Sequence, residues 1–149
     1  MGFRVSKHFP DGELAGEIHV EPVEELKATP ATRIIVRDPD ASPDVFVELA
    51  NQLGMTGVTY FVGWSAWLDI APRGVTKASG LQEACDMLGI PASAVLAIGD
   101  GNNDIEMLRW AGRGVAVGDA LEQVRAAADA VTADFDDDGT AVELNRWFG

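Results

Sequence analysis

The chain has 149 residues, of which 47% are hydrophobic and 23% are charged, a composition typical of one ordinary or two small packed domains. Its formal net charge of −13 argues against nucleic acid or an anionic membrane surface as the main partner. A phosphorylated small molecule is not excluded by this charge, because a metal ion can screen acidic groups locally.

The cysteine count and the hydropathy of the sequence indicate where in the cell the protein is expected. Cys85 is the one cysteine, so an intrachain disulfide is excluded, and its helical surroundings predict a buried apolar residue. No apolar run approaches the ~20 residues of a membrane span, and the first residues form no hydrophobic signal region. We therefore expect a cytoplasmic protein without a membrane partner.

The first part of the sequence predicts a mixed α+β region over residues 1–71. Residues 3–9 and the segment LAGEIHVEP are predicted to be two strands of a hairpin, because Asp11-Gly12 between them is a turn signal. The segments that follow predict a short helix (VEELKA), a strand (TRIIVRD), an amphipathic helix (DVFVELANQLG) and two strands (GVTYFVG and AWLDIAP).

Two residue types in this region invite a functional interpretation. His8 and His19 have no metal-like spacing, so we expect both on the surface of the hairpin. Trp64 and Trp67 flank the turn between the last two strands, and packing is the favoured role for both.

Residues 72–149 predict alternating helices and strands. The helix TKASGLQEACDMLG precedes AVLAIGD, a strand with almost no polar alternation, which is typical of a parallel strand covered on both faces. The remaining segments predict a helix (NDIEMLRWAG), a strand (GVAVG), a helix (ALEQVRAAAD), a short strand (AVTA) and a terminal helix (GTAVELNRWF). The predicted fold class is therefore α/β, a Rossmann-like parallel sheet with helices.

The segment VLAIGDGNND, residues 95–104, carries the candidate chemistry. Ligands of open parallel sheets bind where the strands end at their carboxyl edge, and Asp100 stands at that point. Asp100 and Asp104, one turn later, could hold Mg²⁺ directly and through water. Asn103 can cap the following helix, whose N-terminus favours anions. The alternative is a capped turn from strand to helix without chemistry.

Lys77 is the second candidate. It lies at the start of a helix, where a cation opposes the helix dipole, so pairing with a phosphate or a catalytic carboxylate would explain its position. The alternative is a solvated lysine.

Three segments together, PRGVTKASGLQ, VLAIGDGNNDIEML and GVAVGDALEQVRAAADAVTADFDDDGTAVEL, closely resemble the haloacid dehalogenase-like (HAD) hydrolase superfamily. The nearest group is the Cof-type or sucrose-phosphatase-like branch, which carries an α/β cap. The resemblance is strong over residues 70–145, and residues 21–70 resemble the later part of the cap more loosely.

The resemblance implies a Mg²⁺-dependent phosphatase acting on a small phosphorylated metabolite such as a sugar phosphate. It implies that Lys77 contacts the nucleophile and the phosphoryl group, and that Asp100 is a Mg²⁺ ligand. It also implies that Asp104 supports the metal and that Asn103 helps to order the loop.

The sequence departs from the family at its beginning. Family members begin with a strand followed by Asp-x-Asp-Gly-Thr, whose first aspartate is the phosphorylated nucleophile, whereas FRVSKHFPDGELAG contains no Asp-x-Asp. We therefore interpret the chain as the C-terminal portion of such an enzyme, inactive alone. The alternatives are one half of a split enzyme and a non-catalytic binding or assembly module.

The same departure predicts an interaction. In the family the first strand lies beside the strand that is VLAIG in this chain, so its absence would expose an apolar edge over residues 95–98. Such an edge invites pairing with another chain. We expect a homo-oligomer, an N-terminal partner segment, or a rearrangement of the first hairpin into the gap.

An acidic stretch near the end of the chain partly matches two known motifs, the nucleophile motif and a calcium-binding loop. DDDGT, residues 136–140, matches the nucleophile pattern by letter, but the strand before it is weak and only nine residues follow Thr140. The stretch from Asp134 also begins like a calcium loop, yet Asn145 stands where the closing glutamate belongs. We therefore expect a solvated acidic loop.

Overall fold

A computed structural model describes residues 2–9, 16–52, 58–63 and 67–149 of the chain. The chain divides into two compact units, Met1–Pro72 and Arg73–Gly149. That the first unit serves as a cap stays a prediction.

The first unit begins with two parallel strands. Strand β1 (Gly2–Val5) pairs in parallel with β2 (Glu17–Val20), and Arg4 of β1 binds the carboxylate of Glu21 just beyond β2. The predicted hairpin is therefore wrong, because hairpin strands are antiparallel and parallel strands need a longer crossover connection. The turn signal Asp11-Gly12 lies outside the described residues.

The rest of the first unit is an antiparallel sheet with helices. Helix α1 (Val23–Ala28) precedes the strands, which are arranged in the order β3 (Ile34–Arg37), β5 (Trp67–Pro72), β4 (Val58–Gly63). Helix α2 (Pro43–Gln52) contributes Phe46 to a small core with Leu68. These elements follow the predicted order.

The described histidines and tryptophan of this unit take ordinary structural positions. His8 and His19 are exposed, as predicted. Trp67 is half-buried, and the guanidinium of Arg37 lies 5.4 Å from its ring centroid. Trp64 lies outside the described residues.

The second unit is built on a parallel sheet of order β6 (Leu96–Gly99), β7 (Arg113–Ala116), β8 (Ala130–Val131). Its helices are α3 (Lys77–Leu88), α4 (Ile105–Trp110), α5 (Glu122–Arg125) and α6 (Gly139–Phe148), with 3₁₀ turns at 92–94, 102–104 and 135–137. The predicted α/β class with parallel strands is confirmed.

Helix α5 is shorter than the predicted segment ALEQVRAAAD because the residues after its single turn form hydrogen bonds with β7. The amide of Asp129 donates to the carbonyl of Gly114, and the Asp129 carboxylate accepts the Gly114 amide at 2.8 Å. These two hydrogen bonds hold Asp129 beside β7, so β8 starts at the next residue and the helix does not continue.

The core of the second unit lies between the sheet and helices α4 and α5. Its buried members are small or aliphatic residues from both layers (Ala97, Met107, Leu108, Ala111, Ala116, Ala120 and Val124). Cys85 is buried, as its helical pattern predicted. Within the described parts of the chain, no helix combines the length and the apolar character needed to cross a membrane.

Helix α6 is held by a buried carboxylate at the amino end of the sheet. Glu143 is fully buried and accepts hydrogen bonds from Arg113 Nε at 2.7 Å, Arg146 Nη1 at 3.0 Å and Trp147 Nε1 at 3.2 Å. The hydrogen bond from Arg113 is the main cause that lowers the pKa of Glu143, and it outweighs the effect of burial. Arg113 is the first residue of β7, so this network joins α6 to the sheet.

Candidate active site

The loop after β6 folds around the carboxylate of Asp104. This residue is only 3% exposed, and its Oδ2 accepts hydrogen bonds from the amides of Asp100 at 3.1 Å and Gly101 at 3.0 Å. The amide of Asp104 in turn donates to the carbonyl of Gly101. Asp104 thereby closes the loop at the carboxyl end of β6.

The second oxygen of the same carboxylate binds Lys77. Lys77 Nζ lies 2.5 Å from Asp104 Oδ1, and about half of the lysine side chain stays exposed. Thr76 sets the start of α3 through a reciprocal cap with Ser79, and this places Lys77 at the first helical position. The structure thus brings Lys77 and Asp104 together from elements 27 positions apart in sequence.

Gly99 of the loop is required by the close approach of Asp104, and Gly101 lies beside the side chain of Asn103. A Cβ atom on Gly99 would lie 2.5 Å from Cβ of Asp104, and one on Gly101 would lie 2.8 Å from Oδ1 of Asn103. Asn103 therefore lies beside the loop backbone, but the predicted cap is wrong, because Asp104 is the N-cap residue of α4 and no side chain caps that helix. Any larger residue at position 99 would displace the carboxylate that closes the loop.

Asp100 differs from Asp104 in exposure and in partners. Asp100 is exposed, and no described protein group hydrogen-bonds or ion-pairs with its carboxylate, whereas both oxygens of Asp104 are engaged. Its backbone amide is nevertheless fixed by Asp104. Asp100 is thus a carboxylate with free acceptor capacity, held at its backbone at the carboxyl edge of the sheet.

This donor set fits a magnesium ion. In the described part of the chain, no group of three or more His, Cys, Asp or Glu side chains is arranged to hold a metal. Mg²⁺ does not need such a group, since it usually keeps several waters and takes one or two carboxylates plus phosphate oxygens. Asp100 fits as a direct ligand, and Asp104 fits as its support.

Sequence reasoning missed one residue of this region. Gln123 of α5 donates from Nε2 to Oδ1 of Asn102 at 3.1 Å, which links a third element to the loop. No motif marks a hydrogen bond between two exposed amides. The sequence offers one indication of this contact: the segments that follow two neighbouring parallel strands, β6 and β7, lie close together.

The acidic stretch near the C-terminus has neither the position expected of a nucleophile motif nor that of a calcium loop. Asp136 lies in the 3₁₀ turn Phe135–Asp137 and is exposed, and β8 ends at Val131 rather than directly before it. Helix α6 begins at Gly139, so the stretch cannot form a twelve-residue calcium loop. An exposed acidic loop agrees with the prediction.

The family profile of haloacid dehalogenase-like hydrolases matches residues 13–144. The chain belongs to this family. The predicted resemblance is thereby confirmed, and the match includes Lys77, Asp100 and Asp104.

Two curated relatives are phosphatases. The chain is 41% identical over 88 residues to a 5-amino-6-(5-phospho-D-ribitylamino)uracil phosphatase of Bacillus subtilis, a match covering 57% of this chain and 33% of that protein. It is 39% identical over 113 residues to a phosphoglycolate phosphatase of Natronomonas pharaonis, covering 73% of this chain and 46% of that protein.

Solved structures agree in fold. The HAD subclass IIB sugar phosphatase BT4131 is 31% identical, with a TM-score of 0.75, and the match covers 89% of this chain and 49% of that one. A haloacid dehalogenase-like hydrolase from Bacteroides thetaiotaomicron is 30% identical, with a TM-score of 0.70, covering 89% and 50%. The chain therefore spans a third to a half of the length of these relatives.

Proposed function

We propose that this chain is the metal- and phosphate-binding portion of a Mg²⁺-dependent phosphomonoesterase of the HAD-like hydrolase family. The observation that carries the proposal is the arrangement around Asp104, which binds Lys77 with one oxygen and the amides of Asp100 and Gly101 with the other. It joins a cation and the backbone of Asp100 to one carboxylate at the carboxyl edge of a parallel sheet, where ligands of such sheets bind.

Each residue has a role that follows from its contacts. Lys77 is half exposed, so its ammonium can pair with a phosphoryl oxygen while Asp104 orients it. Asp100 would hold the ion, and Asn103 helps to order the loop between the two aspartates. Bound Mg²⁺ would neutralise charge on the phosphoryl oxygens and orient the phosphate.

The proposed substrate is a sugar phosphate or a similarly small phosphorylated metabolite. The support comes from relatives that are named as a sugar phosphatase, a phosphoglycolate phosphatase and a phosphatase of a ribityl phosphate. These substrates share a phosphomonoester on a small polar molecule. The acidic chain, with a net charge of −13, makes nucleic acid a poor alternative.

The attacking carboxylate is proposed to come from outside this sequence. Strand β6 lies at the edge of the described sheet, with β7 on one side. A strand added in parallel on the other side of β6 would end at the same edge as Asp100, and a carboxylate after it would face the phosphate site. An N-terminal partner segment would supply this strand and its carboxylate, whereas a homo-oligomer would only cover the edge of β6.

Metal binding and turnover of the 149-residue chain test the proposal. We expect Mg²⁺ to bind weakly in calorimetric titration, Asp100→Asn to abolish that binding, and Asp136→Asn to leave it unchanged. We also expect little or no hydrolysis of an aryl phosphate by the chain alone. Equal Mg²⁺ affinity in the wild type, Asp100→Asn and Asp104→Asn would end the enzyme interpretation. Hydrolysis that Asp136→Asn abolishes would assign the nucleophile to the acidic loop.

A non-catalytic binding or assembly module is the second candidate. It is favoured by the position of β6 at the sheet edge, because an edge strand offers unpaired backbone groups to another chain. Complementation separates the two candidates. Co-expression with a segment carrying a strand and Asp-x-Asp-Gly-Thr should restore hydrolysis in the enzyme, whereas a binding module would associate without turnover.

A further inference from the structure

The loop at residues 100–104 is held by hydrogen bonds within the loop and by one hydrogen bond from helix α5. Inside, Asp104 binds the amides of Asp100 and Gly101. Outside, Asn102 is exposed, and its Oδ1 accepts a hydrogen bond from Nε2 of Gln123 at 3.1 Å. Asn102 stands midway between the two aspartates, so this bond restrains the part of the loop that the Asp104 carboxylate does not reach.

Gln123 is a firm point of attachment although its side chain is exposed. Its neighbour Val124 is completely buried in the core of the second unit. The next residue, Arg125, donates from Nη1 to the carbonyl of Gly118 at 2.9 Å and from Nη2 to Glu122 at 2.8 Å. The residues that follow Gln123 therefore anchor α5 to the rest of the unit.

We propose that Gln123 is a positioning residue for the metal-binding loop, acting through Asn102. This inference rests on the proposed role of Asp100 as the metal ligand. The Gln123–Asn102 bond limits rotation of the segment that follows Asp100, and it thereby keeps the Asp100 carboxylate in the orientation that binds the ion. Neither amide needs to touch metal or phosphate for this role.

The expected effect is modest. An exposed neutral hydrogen bond contributes little net free energy, so its loss should weaken metal binding about two- to tenfold and not abolish it. Direct ligation by Asp100 would be lost altogether in Asp100→Asn. The size of the effect thus separates a positioning residue from a ligand.

A double-mutant cycle on Mn²⁺ affinity of the 149-residue chain, followed by electron paramagnetic resonance, tests the proposal. We expect Gln123→Ala and Asn102→Ala each to weaken Mn²⁺ binding about two- to tenfold, and the double variant to be no weaker than either. Gln82→Ala is the matched control, because Gln82 accepts a hydrogen bond from Trp110 elsewhere in the same unit. Its Mn²⁺ affinity should equal that of the wild type.

Amide hydrogen exchange of the metal-free protein provides a second readout. Gln123→Ala should accelerate exchange at the Asp100 and Gly101 amides and leave the sheet amides unchanged. Wild-type affinity together with unchanged exchange in Gln123→Ala would overturn the inference. Absence of Mn²⁺ binding in the wild type would overturn the proposed function instead, and the exchange experiment would still decide whether Gln123 orders the loop.

Discussion

The two ends of the sheet in the second unit each contain a buried carboxylate, and the two carboxylates have different partners. At the carboxyl end, Asp104 binds the amides of its own loop and the half-exposed Lys77. At the amino end, the partners of Glu143 among the described residues are the side chains of Arg113, Arg146 and Trp147. Asp104 holds the loop that carries the exposed Asp100, and Glu143 joins helix α6 to strand β7.

The difference separates residues that stabilise the fold from residues of the proposed metal site. Removing Glu143 would leave two arginines without their shared carboxylate, but it would not change the loop after β6. Removing the charge of Asp104 would release Lys77 and loosen the backbone of Asp100 while most of the core stays packed. Variants at the two ends should therefore affect two different measurements.

The largest expected effect is that of Glu143→Ala on stability. Deleting Glu143 removes the acceptor of three hydrogen bonds, and because Arg113 and Arg146 are partly exposed and can be rehydrated, the expected cost is about 1–3 kcal/mol in free energy of unfolding. Urea denaturation followed by circular dichroism measures this loss. The double variant Arg113→Met, Glu143→Met should recover part of it, since the apolar pair leaves no unpaired charge at position 113 and Arg146 is half exposed. A loss below about 1 kcal/mol in Glu143→Ala would show that the network is not what holds α6.

Asp104→Asn is expected to weaken Mg²⁺ binding about 10- to 100-fold, because residues that orient a metal ligand have effects of this size. The amide keeps the shape of the side chain but not the charge that holds Lys77. Glu143→Gln is the matched control at the other end of the sheet, and its Mg²⁺ affinity should not change. Calorimetric titration of both variants makes the comparison, and equal losses in the two would remove the distinction between the ends.

Gly99→Ala should disturb the site through contact rather than charge. The added methyl group would lie 2.5 Å from Cβ of Asp104, and such overpacking costs about 1–3 kcal/mol. We expect both lower stability and weaker Mg²⁺ binding. Gly80→Ala in α3 is the control, because nothing lies within 4 Å of its Cβ position and the helix should gain about 0.5–1 kcal/mol. Similar results for both glycines would contradict the close approach at Gly99.

The smallest expected effect is on the pH dependence of stability. The folded protein lowers the pKa of Glu143 below its ordinary value of 4.5, so the stabilisation is complete above that value. It is lost as the pH falls through the lowered pKa of the folded state. Glu143→Gln should therefore show a flatter decline in unfolding free energy than the wild type below about pH 4.5. Parallel declines would mean that other carboxylates dominate acid unfolding.

Much of the second unit could be predicted from the sequence because its signals are local. The apolar strand AVLAIGD and the helical periods of α3 and α6 are visible in short windows. The parallel pairing of β1 with β2 was not predictable, since a local turn signal outweighed the distant contact of Arg4 with Glu21. The early end of α5 likewise depends on the bond between Gly114 and Asp129.

That Lys77, Asp100 and Asp104 form a metal and phosphate site stays a prediction, and the sequence could not separate the roles of the two aspartates. The spacing of Asp100 and Asp104 indicated two carboxylates near one ion, while the side-chain geometry gives both oxygens of Asp104 to protein donors. Which carboxylate faces inward depends on the turn geometry that Gly99 and Gly101 allow. Gln123 was missed because its partner, Asn102, is close in space and distant in sequence.

The closure of the loop by Asp104 has a kinetic consequence. Because protein hydrogen bonds alone fold the loop, the binding of an ion requires no ordering of the backbone, and little conformational entropy is lost. For the proposed Mg²⁺ site, the slow event would then be the release of water from the ion, which dehydrates reluctantly. Protein stripped with a chelator should therefore regain the ion at a rate set by the cation, and replacing Mg²⁺ with Mn²⁺ should change that rate while the fold stays the same.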